Sequence, residues 1–288
     1  MTLTKIILAS TLLFLSGCNR KPTTPPDHPR LTSAVRMQDV TFRSASLERE
    51  ITYRVILPKI FPSGERLPVV YLLHGGGGDF REWSNDSDVG AFAEKQLILV
   101  MPAGESSYYT NSVARPKDRF ESYIARDLIA DVEARFPADS SRRAIAGVSM
   151  GGFGAIRLAL QYPELYQFVG ALSPAIDVPS RPFSFKRIGQ YRHHASIFGA
   201  WGSQTRREND PFFLARVADP DRTPFVYVAC GEQEGLLPSN RRFAALLAQR
   251  KFHFEFHPGP GGHDWNQWNQ RLPAMFRSLL QHIDRGPS

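Results

Sequence analysis

Short runs of apolar residues recur along the chain, separated by longer stretches in which apolar and polar residues mix. Eight of these runs predict β-strands, at residues 40–42, 52–57, 69–73, 97–100, 144–148, 168–172, 225–229 and 252–256. Several of the runs are almost wholly apolar, a pattern typical of strands that helices cover on both faces. The chain therefore predicts an α/β fold with a mostly parallel central sheet and helices on both faces.

The clearest helical pattern covers residues 123–136. Apolar residues recur there at helical spacing and define one stripe: Ile124, Leu128, Ile129, Val132 and Phe136. Three acidic residues between them are expected to face water: Asp127, Asp131 and Glu133. This spacing predicts a helix that packs its apolar stripe on the core.

Residues 183–222 are the one long stretch without a clear strand pattern, and we expect them to form an inserted cap or a loop over the site. No internal repeat or low-complexity run interrupts residues 31–288. We therefore expect these residues to form one domain.

The first seventeen residues have the features of an export signal. Lys5 precedes an apolar run at residues 6–15, which is too short to span a bilayer as an ordinary transmembrane helix. The sequence Leu-Ser-Gly-Cys at residues 15–18 then resembles the lipobox of bacterial lipoproteins. The resemblance implies cleavage before Cys18 and acylation of its thiol. Prolines among polar residues in the segment that follows predict an extended tether at residues 18–30. The alternative is an ordinary secretory signal with a chance cysteine.

A lipid anchor at Cys18 would hold the domain outside the cytoplasm, on the periplasmic side of a membrane or at the cell surface. A membrane surface is then one expected partner. The only other cysteine, Cys230, lies in an apolar run and is expected to be a buried, inert thiol.

Composition narrows the function only slightly. With 42% apolar and 22% charged residues, the chain has the composition of a globular protein and lies well outside the disordered range. Its net charge of +7 comes largely from scattered arginines, without a compact basic block. Because no nucleic-acid-binding motif accompanies the charge, it favours a basic solvated surface over a nucleic-acid partner.

The predicted strand at residues 144–148 leads into a G-x-S-x-G motif at residues 147–151, and a helical pattern follows. This motif places Ser149 on a tight turn between a strand and a helix, and the flanking glycines allow the two elements to approach closely. A nearby helix N-terminus also directs free backbone N–H groups at a reacting oxygen. Ser149 is therefore the candidate nucleophile, although a capping serine in a glycine-rich turn is the simpler alternative.

A second glycine-rich loop follows the predicted strand at residues 69–73, with His74 and then four consecutive glycines at residues 75–78. Such a loop can supply a backbone N–H to the oxyanion that develops on an ester carbonyl. We assign Gly76 and Met150 as the two donors. A phosphate-binding loop is the alternative, but no Lys-Ser or Lys-Thr pair follows the glycines.

A serine nucleophile needs a histidine base, which follows it along the chain in this arrangement. The candidates are His253, His257, His263 and His282. The first two alternate with phenylalanines along a strand, and His282 lies in the final helical pattern. His263 lies in a glycine-rich loop after the last predicted core strand, so we assign it as the base.

The acid that orients the histidine should follow the strand at residues 225–229. Glu232 and Glu234 both lie in that turn, and spacing does not separate them. Asp177, after the strand at residues 168–172, is a third candidate.

With these motifs placed, the chain resembles the bacterial serine esterases of the α/β-hydrolase fold, a family that includes tributyrin esterases, S-formylglutathione hydrolases, feruloyl esterases and mycolyltransferases. The likeness covers nearly the whole domain. It rests on residues 72–78 with Trp83, and on residues 100–102, 107–112, 120–128, 147–152, 171–174 and 259–265.

The resemblance implies hydrolysis of carboxylic esters, of short acyl chains or acylated sugars, through an acyl-enzyme on Ser149. It favours Glu234 as the acid, because the aspartate that the family usually carries in this turn falls at that position. Glutamate is one methylene longer, which departs from the family pattern. The implied mechanism requires no metal or organic cofactor.

Three aromatic residues are candidates for lining the substrate cleft: Tyr108, Tyr109 and Trp265. Two other functions compete with hydrolysis. In an acyltransferase, a sugar or lipid hydroxyl would replace water. A non-catalytic surface lipoprotein would use the fold for binding alone, but the complete set of Ser149, His263 and an acid argues against it.

Overall fold

The structure is a computed structural model that describes residues 26–183 and 185–283. The predicted signal peptide at residues 1–17 and the proposed lipidation site Cys18 lie outside the described residues. Within the described ranges, no helix is both long enough and apolar enough to span a bilayer.

One sheet of eight strands forms the centre of the molecule, in the order β1-β2-β4-β3-β5-β6-β7-β8. The strands are β1 (Val35–Ser44), β2 (Arg49–Pro58), β3 (Leu67–Leu73), β4 (Ile98–Pro102), β5 (Ala138–Val148), β6 (Phe168–Leu172), β7 (Phe225–Gly231) and β8 (Phe254–Gly259). Strand β2 pairs antiparallel with both of its neighbours, whereas β4, β3, β5, β6, β7 and β8 pair parallel. The predicted α/β fold and all eight predicted strands are confirmed.

Helices cover both faces of the sheet. They are α1 (Glu82–Asp86), α2 (Phe120–Ser122), α3 (Ile129–Arg135), α4 (Met150–Gln161), α5 (Ile188–Phe198), α6 (Gln204–Glu208), α7 (Pro211–Val217), α8 (Leu237–Gln249) and α9 (Trp265–Ile283). Alternate residues of β3 enter opposite cores: Val69 and Tyr71 lie in one, with residues of α3, α4 and α8, and Val70 and Leu72 lie in the other, with residues of α9. This alternation explains why the strand is apolar throughout.

The predicted helix at residues 123–136 is longer and less regular than expected. It begins at Phe120 and includes a π-helical segment, Tyr123–Leu128, before α3. The prediction that its acidic residues face water was wrong, because each of them accepts hydrogen bonds from a neighbouring element. Asp127 accepts bonds from Ser44 and Ser46, Asp131 from Tyr53, and Glu133 from Arg143.

The C-terminal end of the predicted tether contacts the domain. Asp27 forms an ion pair with Arg54 at 2.6 Å, and Arg54, which is fully buried, also pairs with Asp39. The backbone N–H of His28 donates to Asn85. The burial of Arg54 is therefore compensated partly by a residue that precedes the first strand.

The segment between β6 and β7 contains no strand within its described residues. Its helices α5, α6 and α7 form what we call the cap, residues 185–222. Arg187, at the start of the cap, lines the cleft that contains Ser149.

Candidate active site

Ser149 occupies the turn between β5 and α4 with a φ of +53°, in a region that residues other than glycine rarely adopt. Glycines on both sides permit this turn. A Cβ atom at Gly147 would lie 2.2 Å from the Gly151 carbonyl carbon, and one at Gly151 would lie 2.1 Å from the Leu73 oxygen. The close packing of strand, turn and helix therefore requires glycine at both flanking positions of the motif.

A continuous chain of hydrogen bonds connects Ser149 to His263 and Glu234. The Ser149 Oγ atom lies 2.8 Å from His263 Nε2, and His263 Nδ1 lies 2.6 Å from Glu234 Oε2. A carboxylate can only accept hydrogen bonds, so the ring proton belongs on Nδ1 and Nε2 is left to accept the serine proton. The arrangement can therefore activate the Ser149 hydroxyl as a nucleophile.

Glu234 is held on all sides. Its side chain is only 1% exposed. Its Oε1 atom accepts hydrogen bonds from the Ser173 hydroxyl at 2.5 Å and from the Gly231 backbone N–H at 2.7 Å. Ser173 Oγ in turn accepts the indole N–H of Trp268, whose ring meets the His263 ring edge-on at 5.1 Å. Both carboxylate oxygens of Glu234 are thus fixed, and with them the orientation of the histidine.

The other candidate acids do not contact His263 in the structure. Glu232, two residues before Glu234, is exposed. Asp177 instead pairs with Arg181 at 2.8 Å.

The other candidate histidines also lie away from Ser149. His253 is exposed, and His257 pairs with Glu255 on the same strand. His282 stacks on Phe225 near the end of α9.

The glycine loop after β3 lies against the N-terminus of α4. A Cβ atom at Gly76 would lie 4.0 Å from the Cβ atom of Met150, so the two residues assigned to the oxyanion hole are neighbours. Within the described residues, neither of their backbone N–H groups has a hydrogen-bond acceptor. Both groups can therefore bind a substrate oxygen.

A carboxylate that no sequence motif indicated lies against the start of this loop. Glu82 accepts the Gly75 backbone N–H at 2.7 Å and lies 3.4 Å from the indole nitrogen of Trp265. Burial raises the pKa of Glu82. Glu82 thus holds the start of the glycine loop. Glu82 lies seven residues after Gly75 in a mostly polar segment, so the sequence does not predict that its side chain is buried against the loop.

The three aromatic residues proposed for the cleft have different surroundings. Tyr108 lines the cleft and places its hydroxyl 3.2 Å from His194 Nε2. The prediction that Tyr109 lines the cleft was wrong. Its side chain is wholly buried, and its hydroxyl donates to the His74 carbonyl. Trp265 packs edge-on against Trp83 and does not belong to the cleft lining among the described residues.

The cleft at Ser149 has a volume of about 560 Å³. Besides Ser149, His263, Glu234 and Tyr108, its walls include Ala175, Leu236, Asp177, Arg181 and Arg187. The cleft that contains Ser149 is therefore walled by both apolar and charged side chains.

Cys230 is buried at the end of β7, and burial raises the pKa of its thiol to about 12. A thiol with such a pKa is protonated at neutral pH and is a poor nucleophile. Its position therefore agrees with the prediction of an inert thiol.

Known proteins similar to this chain include esterases and acyltransferases. Acetyl esterase of Caldicellulosiruptor saccharolyticus is 26% identical over 265 residues, which cover 86% of this chain and 99% of that protein. Esterase Rv1288 of Mycobacterium tuberculosis is 30% identical over 277 residues, which cover 84% of this chain and 57% of that protein. This chain therefore corresponds to little more than half of the mycobacterial protein.

The solved structure of an S-formylglutathione hydrolase from Agrobacterium tumefaciens matches with a TM-score of 0.77 at 19% identity, covering 89% of this chain and 98% of the other. That likeness shows a shared fold. The family model described as "Putative esterase" matches residues 44–279. Because this match spans most of the sequence, the chain belongs to the esterase family and is a carboxylic ester hydrolase.

Proposed function

We propose that the protein is a serine esterase that cleaves esters of short acyl chains or acylated sugars through a Ser149-His263-Glu234 triad. One observation carries the proposal: the unbroken hydrogen-bond chain of 2.8 Å from Ser149 to His263 and 2.6 Å from His263 to Glu234. The acid is buried and bonded, and the serine faces an open cleft.

In the first half of the reaction, His263 Nε2 takes the Ser149 proton while Oγ attacks the ester carbonyl carbon. The carbonyl oxygen becomes an oxyanion. When the tetrahedral intermediate collapses, its bond to the alcohol oxygen breaks, and the His263 imidazolium returns the proton to the departing alcohol. The acyl group is then bonded to Ser149.

In the second half, a water molecule takes the place of the alcohol. His263 removes one water proton, the hydroxyl oxygen bonds to the acyl carbon, and the bond to Ser149 Oγ breaks as the serine recovers its proton. Glu234 stabilises the imidazolium in both halves. The products are a carboxylic acid and an alcohol.

The backbone N–H groups of Gly76 and Met150 are the donors that we propose for the oxyanion. Met150 is the first residue of α4, so the helix dipole favours negative charge at that position. Loss of one such donor typically lowers the rate by about 10²-fold or more. Both loops therefore contribute to transition-state stabilisation.

Two features support a short acyl group. Ala175 and Leu236 bound the cleft beside Ser149. The relative from Caldicellulosiruptor saccharolyticus, matched over almost its full length, is named an acetyl esterase.

A panel of 4-nitrophenyl esters of increasing chain length, beside feruloyl and acetylated-sugar esters, tests this function. We expect the highest kcat/KM on short acyl groups, and no turnover by Ser149→Ala. Wild-type turnover by Ser149→Ala would refute the triad, and a preference for long chains would refute the substrate class. Adding an alcohol acceptor measures transfer: ester products exceeding free acid would identify an acyltransferase of the mycolyltransferase type.

We also propose that the mature protein is an exported lipoprotein held at a membrane surface through Cys18. The support is the sequence at residues 15–18, and the physical reason is that two or more acyl chains anchor a protein firmly, whereas one chain binds reversibly. Cys18→Ser should release the protein from the membrane fraction or leave an unprocessed precursor, with ester hydrolysis unchanged. Recovery of the native protein as a soluble species with a free N-terminus near residue 18 would refute the anchor.

A further inference from the structure

A second cleft lies between the cap and the segment that precedes it. Its volume is about 350 Å³, and its walls include Arg181, Phe183, Lys186, Arg187, Tyr191 and Arg206. Arg181 and Arg187 also line the cleft at Ser149. The two clefts are therefore adjacent and share these two arginines in their walls.

Arg206 is a buried cation without a carboxylate partner among the described residues. It is 3% exposed, and its Nε and Nη1 atoms donate to the carbonyl oxygens of Pro179 and Gly199. Its guanidinium lies over the rings of Tyr191 and Trp201, at 5.8 and 5.4 Å from their centres. Burial lowers the pKa of Arg206. The carbonyl oxygens and ring faces stabilise the guanidinium, but no described carboxylate neutralises its charge, so an anion that reached it would gain a charge-assisted interaction.

The other groups around this cleft add to the positive charge. Lys186 and Arg187 are exposed, and neither forms an ion pair with any described residue. Arg181 is neutralised in part by Asp177, which lies in the wall of the neighbouring cleft. His194 also faces this cleft; burial, together with Arg181, His193 and Arg206, lowers its pKa to about 4, so it is neutral at neutral pH.

No acidic side chain belongs to the wall of the second cleft as the structure describes it. Three arginines and a lysine therefore face a space that also has aromatic walls, Phe183 and Tyr191. Guanidinium groups bind carboxylates and phosphates through charge-assisted hydrogen bonds, and aromatic rings pack against the carbon atoms that carry them.

We infer that this second cleft is an anion subsite, which binds a carboxylate or phosphate group carried by the ester whose acyl bond lies at Ser149. The inference rests on the proposed function, because it places the reacting carbonyl at Ser149. It adds a substrate class: esters that carry a negative charge several bonds away from the bond that is cleaved.

Matched esters that differ only in charge test the subsite. One pair is 4-(acetoxymethyl)benzoate and 4-(acetoxymethyl)benzamide, and a second pair carries the charge on the acyl side, monomethyl glutarate and its monoamide. We expect the ratio of kcat/KM, charged over neutral, to be about fivefold or more in at least one pair, and to fall as salt is added. The kcat/KM of the phosphate analogue, compared with that of the preferred carboxylate ester, shows which of the two anions the cleft favours.

Arg187→Gln should lower this ratio by about threefold or more. Arg206→Gln should lower it at least as much, if that variant folds. Arg192→Gln is the matched control, because Arg192 is an exposed cation of the same helix α5 that does not line either cleft. We expect this control to retain the wild-type ratio.

A ratio near one in both pairs would overturn the inference, and so would equal loss in Arg187→Gln and Arg192→Gln, which would indicate only a general surface potential. Failure of the proposed function gives a different result. In that case neither the charged nor the neutral ester is hydrolysed through Ser149.

Discussion

The end of the sheet that carries the proposed Ser149-His263-Glu234 triad and the cap differ in how their charged groups are held. At that end of the sheet, Glu234 is buried, and each of its oxygens accepts a hydrogen bond from a group fixed by a strand end or a glycine turn. In the cap, Arg206 is equally buried but has no acid partner, and Arg187 extends into the cleft without an ion pair within the described residues.

This difference separates two kinds of requirement. A triad must hold its atoms within tenths of an ångström, because proton transfer depends on hydrogen-bond geometry. A substrate-selecting surface can leave its charges unpaired, so that the ligand supplies the missing partner. We therefore expect substitutions at the catalytic end to change the rate on every ester, and substitutions in the cap to change the choice between esters.

The largest expected effect is that of His263→Ala. Because triad residues act together, the variant should lose roughly 10⁴-fold or more in kcat on every ester. His253→Ala, which removes an exposed histidine, is the matched control and should retain wild-type kcat. A large loss in the control and none in His263→Ala would show that the base is misassigned.

Glu234→Gln should lower kcat by about 10³-fold, because a neutral amide does not stabilise the imidazolium and can hold the wrong tautomer. Glu232→Gln should change kcat by less than about twofold, since Glu232 is exposed and has no contact with His263. Steady-state kinetics on one short-chain ester compares the two variants. Equal, mild effects in both would contradict the position of the acid.

Ser173→Ala removes one of the two donors to Glu234 Oε1 and should lower kcat by about tenfold, with little change in KM. Ser180→Ala is the control, because Ser180 is exposed and its hydroxyl bonds to the Asp177 carbonyl and to Asp210 rather than to Glu234. If Ser173 served only the stability of the fold, kcat would stay at the wild-type value while the melting temperature fell.

The smallest expected effect lies in the cap and concerns pH. Burial and the nearby Arg181, His193 and Arg206 lower the pKa of His194 to about 4 in the folded protein. In the unfolded chain the same side chain has a pKa of about 6.5. Between these two pH values the unfolded chain therefore binds a proton at His194 and the folded chain does not. This difference lowers the free energy of unfolding as the pH falls from 6.5 to 4. His194→Gln should reduce that loss, measured by urea unfolding at pH 7 and pH 5. The same drop in the free energy of unfolding between pH 7 and pH 5 in both proteins would contradict this role of His194.

Much of the fold and of the nucleophile's surroundings could be predicted from the sequence, because both depend on residue types at fixed spacing. The strands are apolar in continuous runs since both faces are covered. The turn at Ser149 needs glycine at positions 147 and 151, where any side chain would collide with backbone atoms. Such requirements are visible in the sequence as particular residue types at particular positions.

The identity of the acid and the residues of the cleft walls were harder to predict from the sequence. Glu232 and Glu234 differ only in direction: Glu234 turns inward where its own backbone N–H meets the Gly231 carbonyl, while the Glu232 backbone N–H pairs with Gly259 and its side chain stays outside. Tyr108 and Tyr109 both have a positive φ of 54°, yet one reaches the cleft and the other enters the core. Orientation of this kind depends on tertiary packing, which spacing does not describe.

The central claim is that Ser149 is the nucleophile, and covalent labelling tests it most directly. A fluorophosphonate forms a stable adduct with an activated serine, and peptide mass spectrometry identifies the modified residue. We predict one adduct per protein, on Ser149, that forms in parallel with the loss of ester hydrolysis and is absent from Ser149→Ala and strongly slowed in His263→Ala. Hydrolysis that persists after complete modification of Ser149, or that is lost while Ser149 remains unmodified, would contradict the claim.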